Sequence, residues 1–291
     1  MNLPANAPSC FGPGLTFDLS YETYAAGPGV RASHLKNLDV SPAHYQWALK
    51  NKTTSKAWTL GTAGHCATLE PDRFKTDFAA WGEKTESGRA RPRNGKDWDA
   101  FRDSMQDRTI LTADEHATAT AIAQAVRSHP AAMRYLGAGQ PEVSMMWDDY
   151  GHTLQARPDW LTTIDGVDCL VGLKTARDCR MRQFGAQAAQ LGYVAAWAMY
   201  HDGFVAITNR KPHVVEIVVE SGGPRSVSVY HITEEILARG REEYTRLLAV
   251  FDTCKAAGHW PGPVDGEVDL VLPPWAYGDA LEMTITDAEE E

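Results

Sequence analysis

In the first half of the chain, apolar positions recur at helical spacing. Leu35 and Leu38 follow Ser33, which predicts a short helix from Ser33. Ser41 before Pro42 marks a second start, because proline's fixed φ and missing N–H suit the first helical position. That helix runs through Tyr45, Trp47 and Leu49, and residues 59–69 form the next, where Gly61 and Gly64 allow close packing. Thr112-Ala113-Asp114-Glu115 has the form of a capping box and opens a helix that carries Ile122 and Val126 and stops near Pro130.

At the centre the period changes. Residues 142–147, 153–157, 168–174, 204–209 and 214–219 are rich in β-branched and aromatic side chains and are predicted strands. A long helix over 183–200 separates the third from the fourth, and a last helix covers 233–255. Helices, a strand meander, a helix, strands and a helix make an α/β (α+β) core, with one central mixed sheet flanked by helices and a helical N-terminal part. The expected division is a poorly ordered arm over 1–20, one domain over 21–280 that is helical to about 135 with its sheet core at about 136–280, and an acidic disordered tail over 281–291.

Composition narrows the function. With 291 residues, 43% hydrophobic and 23% charged, the chain is an ordinary globular protein, and no apolar run is long enough to cross a bilayer. The opening MNLPANAPSC does not read as a signal peptide, so a cytoplasmic protein is the default expectation. The 5 cysteines (Cys10, Cys66, Cys169, Cys179 and Cys254) are odd in number, widely spaced and without a CxxC, which argues against a disulfide framework or a zinc site. A net charge of -10 argues against a protein coated in nucleic acid but leaves room for one basic channel. The polar segment 83–97 carries Lys84, Arg89, Arg91, Arg93 and Lys96, either solvated charge or a contact for a DNA backbone.

The candidate chemistry lies in the strands. Residues two apart on a strand share a face, so Lys174 lies beside Gly172, with Asp168 further back. Glu142 stands near a strand start, and Asp159 follows Arg157-Pro158. Carboxylates can hold Mg²⁺, which activates a water and steadies charge on a phosphate, and a neighbouring lysine can orient the water or stabilise the oxyanion. Each residue also has an ordinary reading. His65 could be a satisfied helix histidine, Asp159 a turn residue, Lys174 an edge charge and Glu142 a strand cap.

These blocks, taken in order, resemble the RecE-like (exonuclease VIII type) exodeoxyribonucleases of the PD-(D/E)xK superfamily. The match includes Val30-Arg31-Ala32-Ser33-His34-Leu35, Ser41-Pro42-Ala43-His44-Tyr45, Leu60-Gly61-Thr62-Ala63-Gly64-His65 and Leu69-Glu70-Pro71. Trp260-Pro261-Gly262 and Leu272-Pro273-Pro274-Trp275 extend it towards the C-terminus. The resemblance implies a PD-(D/E)xK fold and Mg²⁺- or Mn²⁺-dependent digestion of double-stranded DNA ends in phage-type recombination. It also implies a ring-like homo-oligomer and a single-strand annealing protein as partner. His65 matches the active-site histidine, Glu142 the first acid, Asp159 the metal-bridging aspartate, Lys174 the catalytic lysine and Tyr200 a tyrosine behind the site.

Two positions depart from the pattern. Gly172 stands where the family has an acid, and Ala196 where it has a glutamine, four residues before Tyr200 and so on the same helix face. Asp168 is about 13 Å from Gly172 along the strand, too far to substitute. Asp178 could reach only if the chain turns back, and no other acid offers itself. Two readings stay open: a DNA-end nuclease with impaired activity, and a catalytically silent relative that binds DNA or a protein. Gly172→Asp with Ala196→Gln is expected to raise activity, and Gly172→Asp alone to do most of this, because it restores a carboxylate beside Lys174.

Overall fold

The computed structural model describes residues 12–51, 56–82, 91–264, 266–273 and 276. From the N-terminus come β1 (Gly14–Thr16), α1 (Tyr21–Ala25), α2 (Ala32–Leu35), which tightens into a 3-10 turn over Lys36–Asp39, α3 (Pro42–Lys50), α4 (Lys56–Leu69) and α5 (Pro71–Asp77). They are followed by β2 (Phe78–Trp81), α6 (Lys96–Met105), β3 (Thr109–Thr112), α7 (Ala113–Arg127) and α8 (Pro130–Leu136). The second half runs β4 (Gln140–Pro141), β5 (Ser144–Asp149), β6 (His152–Ala156), β7 (Trp160–Ile164), β8 (Val167–Ala176), α9 (Met181–Gln190), α10 (Tyr193–Thr208), β9 (His213–Glu220), β10 (Val227–His231) and α11 (Glu234–Ala257).

Local signals start several helices. The Ser41 hydroxyl accepts from the His44 N–H with Pro42 at the first position, and Thr233 caps α11 in the same way. At α7 the capping box is complete: Glu115 N–H donates to the Thr112 hydroxyl at 3.2 Å, and Thr112 N–H to the Glu115 carboxylate at 2.8 Å.

The main sheet has 5 strands in the order β10-β9-β8-β7-β4. Its pairs are antiparallel except β8 with β9, whose parallel pairing is made possible by the crossover through α9 and α10. Alternation along β8 and β9 sets the layers. Cys169, Val171 and Leu173, with Val215, Ile217 and Val219, pack on Ile122, Val126 and Tyr135 of α7 and α8. Leu170 and Ala176, with Val214 and Val218, face Phe184, Met199 and Leu247 of α9, α10 and α11. Gly172, Lys174 and Glu216 belong by parity to this second face. A second sheet, β1-β5-β6, and a parallel β2-β3 pair complete the strands among the described residues.

The mixed sheet flanked by helices is the fold expected from the sequence, but several segments differ. Residues 204–209 are not a strand: they form the end of α10. Val205, Ile207 and Thr208 mimic strand composition, yet Phe204 is buried on the helix face and Asn209, in the left-handed region at φ 56°, ends the helix. The expected helix over 183–200 breaks into α9 and α10 at Gly192, whose φ of 70° no helical residue adopts. The arm is not wholly irregular, because Gly14–Thr16 pairs with β5. The polar segment gives way to α6 at Lys96, so that end is ordered. Lys84, Arg89, residues 1–11 and the acidic tail lie outside the described residues. No helix among the described residues is long and apolar enough to cross a membrane.

Candidate active site

The site opens where β7 parts from β8. β7 begins at Trp160, opposite Val171, so the Leu173 N–H just beyond has no strand partner on that side. It donates instead to Asp159 Oδ2 at 2.7 Å. The same oxygen accepts from Lys174 Nζ at 3.0 Å. Asp159 is thereby fixed on the strand that carries the lysine.

Glu142 reaches the same place from the link between β4 and β5. Its N–H donates to the Asp159 carbonyl at 3.0 Å, and its φ of 53° lies in the left-handed region, which glutamate seldom adopts. This turn aims its side chain at the site. Arg157 holds it there, with Nε donating to Glu142 Oε2 at 2.6 Å while the guanidinium lies over the Tyr24 ring. His65, on α4, bridges the two acids: Nε2 is 3.3 Å from Asp159 Oδ1 and Nδ1 is 3.6 Å from Glu142 Oε1. One ligand atom from each of His65, Glu142 and Asp159 can be chosen so that all lie within 4.8 Å of one another, close enough to share one metal ion. They line an open cleft of about 1270 Å³, together with Arg73, Arg108, Lys174 and Tyr193.

Charge explains the protonation of the group. Burial alone would raise the Asp159 carboxyl, but Lys174, His65 and the Leu173 N–H overcome it and hold it well below the usual range. Burial would lower Lys174, but Asp159 and then Glu216 keep it protonated above its ordinary value. Burial likewise works to lower His65, and Asp159 and Glu142 raise it. Glu142 is pushed up by burial and by the Asp159 charge. Tyr200, on α10, feels the same charges: burial and then Asp159 raise its hydroxyl to about 12.

His65, Glu142, Asp159 and Lys174 are therefore brought together, while Tyr200, on α10, is close enough for Asp159 and Lys174 to act on its hydroxyl but does not line the cleft. Among the described residues of the basic segment, none lines the cleft. Arg91 stacks on Trp81 and Arg93 on Trp98, Arg93 also donates to the Ile110 carbonyl, and neither they nor Lys96 line the cleft.

The departures from the family pattern take a different form from that expected. Asp178 does not turn back to the site; its carboxylate is held by Arg180 at 2.6 Å. Asp168 is bound by Thr163 and Arg210 at the other end of β8. The group that approaches Gly172 is Glu216, its register partner on β9. A Cβ on Gly172 would lie 2.6 Å from Glu216 Oε2 and 2.7 Å from its carboxyl carbon. Gly172→Asp alone would thus drive a second carboxylate into the first, so the expectation that it raises activity is withdrawn. Gly172 is not among the glycines of positive φ, and the obstacle is crowding, not backbone strain. Near Ala196, the neighbouring Trp197 supplies an N–H, donating to Glu216 Oε2 at 2.5 Å. Sequence reasoning missed Glu216 and Arg157. The one signal for Glu216 was a lone acid in the apolar run Val214-Val215-Glu216-Ile217-Val218-Val219.

A crystal structure of a Eubacterium rectale protein provisionally described as an exonuclease superposes with a TM-score of 0.55 at 15% identity, over 91% of this chain and 100% of that one. At that identity the likeness is one of fold. A crystal structure of SSO0001 aligns at a TM-score of 0.28 and 14% identity over 46% of this chain and 68% of that one, and carries no argument. No curated protein matches the sequence. The model of a family described as a PDDEXK-like domain of unknown function (DUF3799) matches residues 32–271, and with most of its length so covered the chain belongs to that family.

Proposed function

We propose that this chain is a divalent-metal-dependent nuclease that cuts phosphodiester bonds at the ends of double-stranded DNA. Family membership supports nuclease-type function. The observation that carries the metal-dependent reading is the cluster of His65, Glu142 and Asp159, with Lys174 bonded to Asp159; the duplex end as substrate comes from the resemblance to the RecE type. An acid pair, a histidine and a lysine at the mouth of an open cleft suit phosphoryl chemistry better than a structural ion pair, which would satisfy its charges out of solvent.

Asp159 and Glu142, with His65, would hold Mg²⁺ or Mn²⁺. Such an ion supplies a water of lowered pKa and neutralises charge on the phosphate. Lys174 stays protonated beside Asp159, so its part is to stabilise developing charge on a phosphoryl oxygen and not to accept a proton. Arg157 fixes the Glu142 carboxylate. Tyr200 keeps its proton near neutrality, so its hydroxyl would donate a hydrogen bond and not take up a proton. Resemblance to the RecE type adds a place in phage-type recombination, a homo-oligomer and an annealing partner, all as parts of the proposal.

The test is digestion of end-labelled linear duplex with Mg²⁺ or Mn²⁺. Metal-dependent loss of label that disappears in Asp159→Asn supports the reading. A silent DNA-binding or protein-interaction relative is the second reading, favoured by Gly172, and it predicts no digestion by the natural protein at any metal concentration.

A further inference from the structure

We propose that Glu216 supplies the carboxylate that Gly172 lacks, carried to the metal site from the neighbouring strand. The inference rests on the metal-dependent reading above and names a further ligand for the same site.

Register makes the substitution possible. Gly172 and Glu216 are partners across the parallel pair β8 and β9, and both side-chain positions face α10. A side chain at 172 would begin where the Glu216 carboxylate now ends, with 2.6 Å between its Cβ and Oε2. The missing side chain and the extra one occupy one space. Glycine at 172 is what lets a longer acid from β9 reach across.

The state of the carboxylate points to a ligand. Glu216 is 1% exposed on a strand whose other central residues are apolar, a costly place for an acid without full compensation. Oε2 is satisfied by the Trp197 N–H at 2.5 Å. Oε1 is buried without a hydrogen-bond partner, and lies 3.6 Å from Lys174 Nζ. Lys174 Nζ in turn is 3.0 Å from Asp159 Oδ2, so the free oxygen is one lysine away from the acid cluster. A purely structural glutamate would be expected to have both oxygens bonded. An oxygen without a hydrogen bond, ion-paired only with the lysine that also holds Asp159, is open to a cation brought to that cluster.

The experiment is Mn²⁺ titration of the full chain by calorimetry, with melting curves as a check on folding. The set is the natural protein, Asp159→Asn, Glu216→Gln and the relocation variant Gly172→Asp with Glu216→Ala. Glu216→Gln keeps shape and an acceptor for Trp197 but removes the charge. We expect it to weaken Mn²⁺ binding about tenfold or more, since even groups behind a ligand are worth about 10–100-fold. The relocation variant should bind within about threefold of the natural protein, well inside that range. Mn²⁺ binding lost in Asp159→Asn but unchanged in Glu216→Gln would overturn the Glu216 proposal and leave the metal site standing. No binding by the natural protein, or binding untouched by Asp159→Asn, would overturn the underlying reading and this inference with it. Should Glu216→Gln fail to fold, Glu216→Ala alone and the relocation variant decide: weak binding in Glu216→Ala restored by Gly172→Asp supports Glu216, and binding unchanged in Glu216→Ala refutes it.

Discussion

Arg157 shows how one side chain can fix a site by holding one of its acids. Its Nε meets Glu142 at 2.6 Å, its Nη1 donates to the Ser20 carbonyl at 3.4 Å, and its plane lies over Tyr24. Lysine keeps the charge but is a single point and cannot serve all of these partners. Arg157→Lys is expected to weaken Mn²⁺ binding about tenfold and to cost about 1–3 kcal/mol in chemical denaturation. Unchanged metal binding would mean that Glu142 is aimed by its backbone alone. Asp202 gives a residue-scale test away from the site. Burial would raise its carboxyl, but His201, Arg241 and Tyr244 lower it well below the ordinary range. A folded-state pKa depressed in this way gives stability that is present above the unfolded value and is lost as pH falls. The natural protein should therefore lose stability below about pH 4. Asp202→Asn should be less stable at pH 7 by about 1–2 kcal/mol, allowing for solvent at half-exposed Arg241. Its melting temperature should also fall less steeply with acid.

Among the elements, α10 and α11 cross closely enough to constrain what they carry. A Cβ on Gly240 of α11 would lie 2.8 Å from the Ala198 Cβ and closer still to the Val194 carbonyl oxygen. A backbone carbonyl cannot step aside as a side-chain tip can. Gly240→Ala should therefore destabilise by about 1–3 kcal/mol, although alanine is the better helix former by about 1 kcal/mol. Because α10 holds Trp197 and Tyr200, the same change should lower nuclease activity; a stabilised variant of full activity would refute the crossing as described. Elements with chemical start signals could be read from sequence: Ser41 with Pro42, Thr112 with Glu115, and Thr233 all cap the helices they announce. Residues 204–209 could not, because Val205, Ile207 and Thr208 favour strand locally and only packing of Phe204 against the sheet decides for helix. Glu216 was hidden for a related reason. Period two puts a lone acid on the solvent side, yet β9 is covered on both faces, so its acid must point into protein.

Across the whole molecule, the site gathers residues from α4, the link before β5, the turn before β7, and β8. Spacing alone could not join positions so distant in sequence. Their order, matched to a known family, brought in His65, Glu142, Asp159, Lys174 and Tyr200 but not the strand-to-strand exchange at Gly172, which exists only in the register. On the proposed reading, duplex would be held by local basic contacts despite the net charge of -10, and because phosphate contacts release counterions its affinity should fall steeply as salt rises. Arg91 and Arg93 lie on Trp81 and Trp98 outside the cleft wall. Replacing both by Ala should leave the slope of affinity against salt unchanged; a flatter slope would return them to the DNA interface. The most direct test of the account as a whole is end digestion of a labelled linear duplex by natural protein and by Asp159→Asn prepared in the same way. The account predicts loss of label that requires Mg²⁺ or Mn²⁺ and is absent in Asp159→Asn; no digestion by the natural protein, or equal digestion by both, would contradict it.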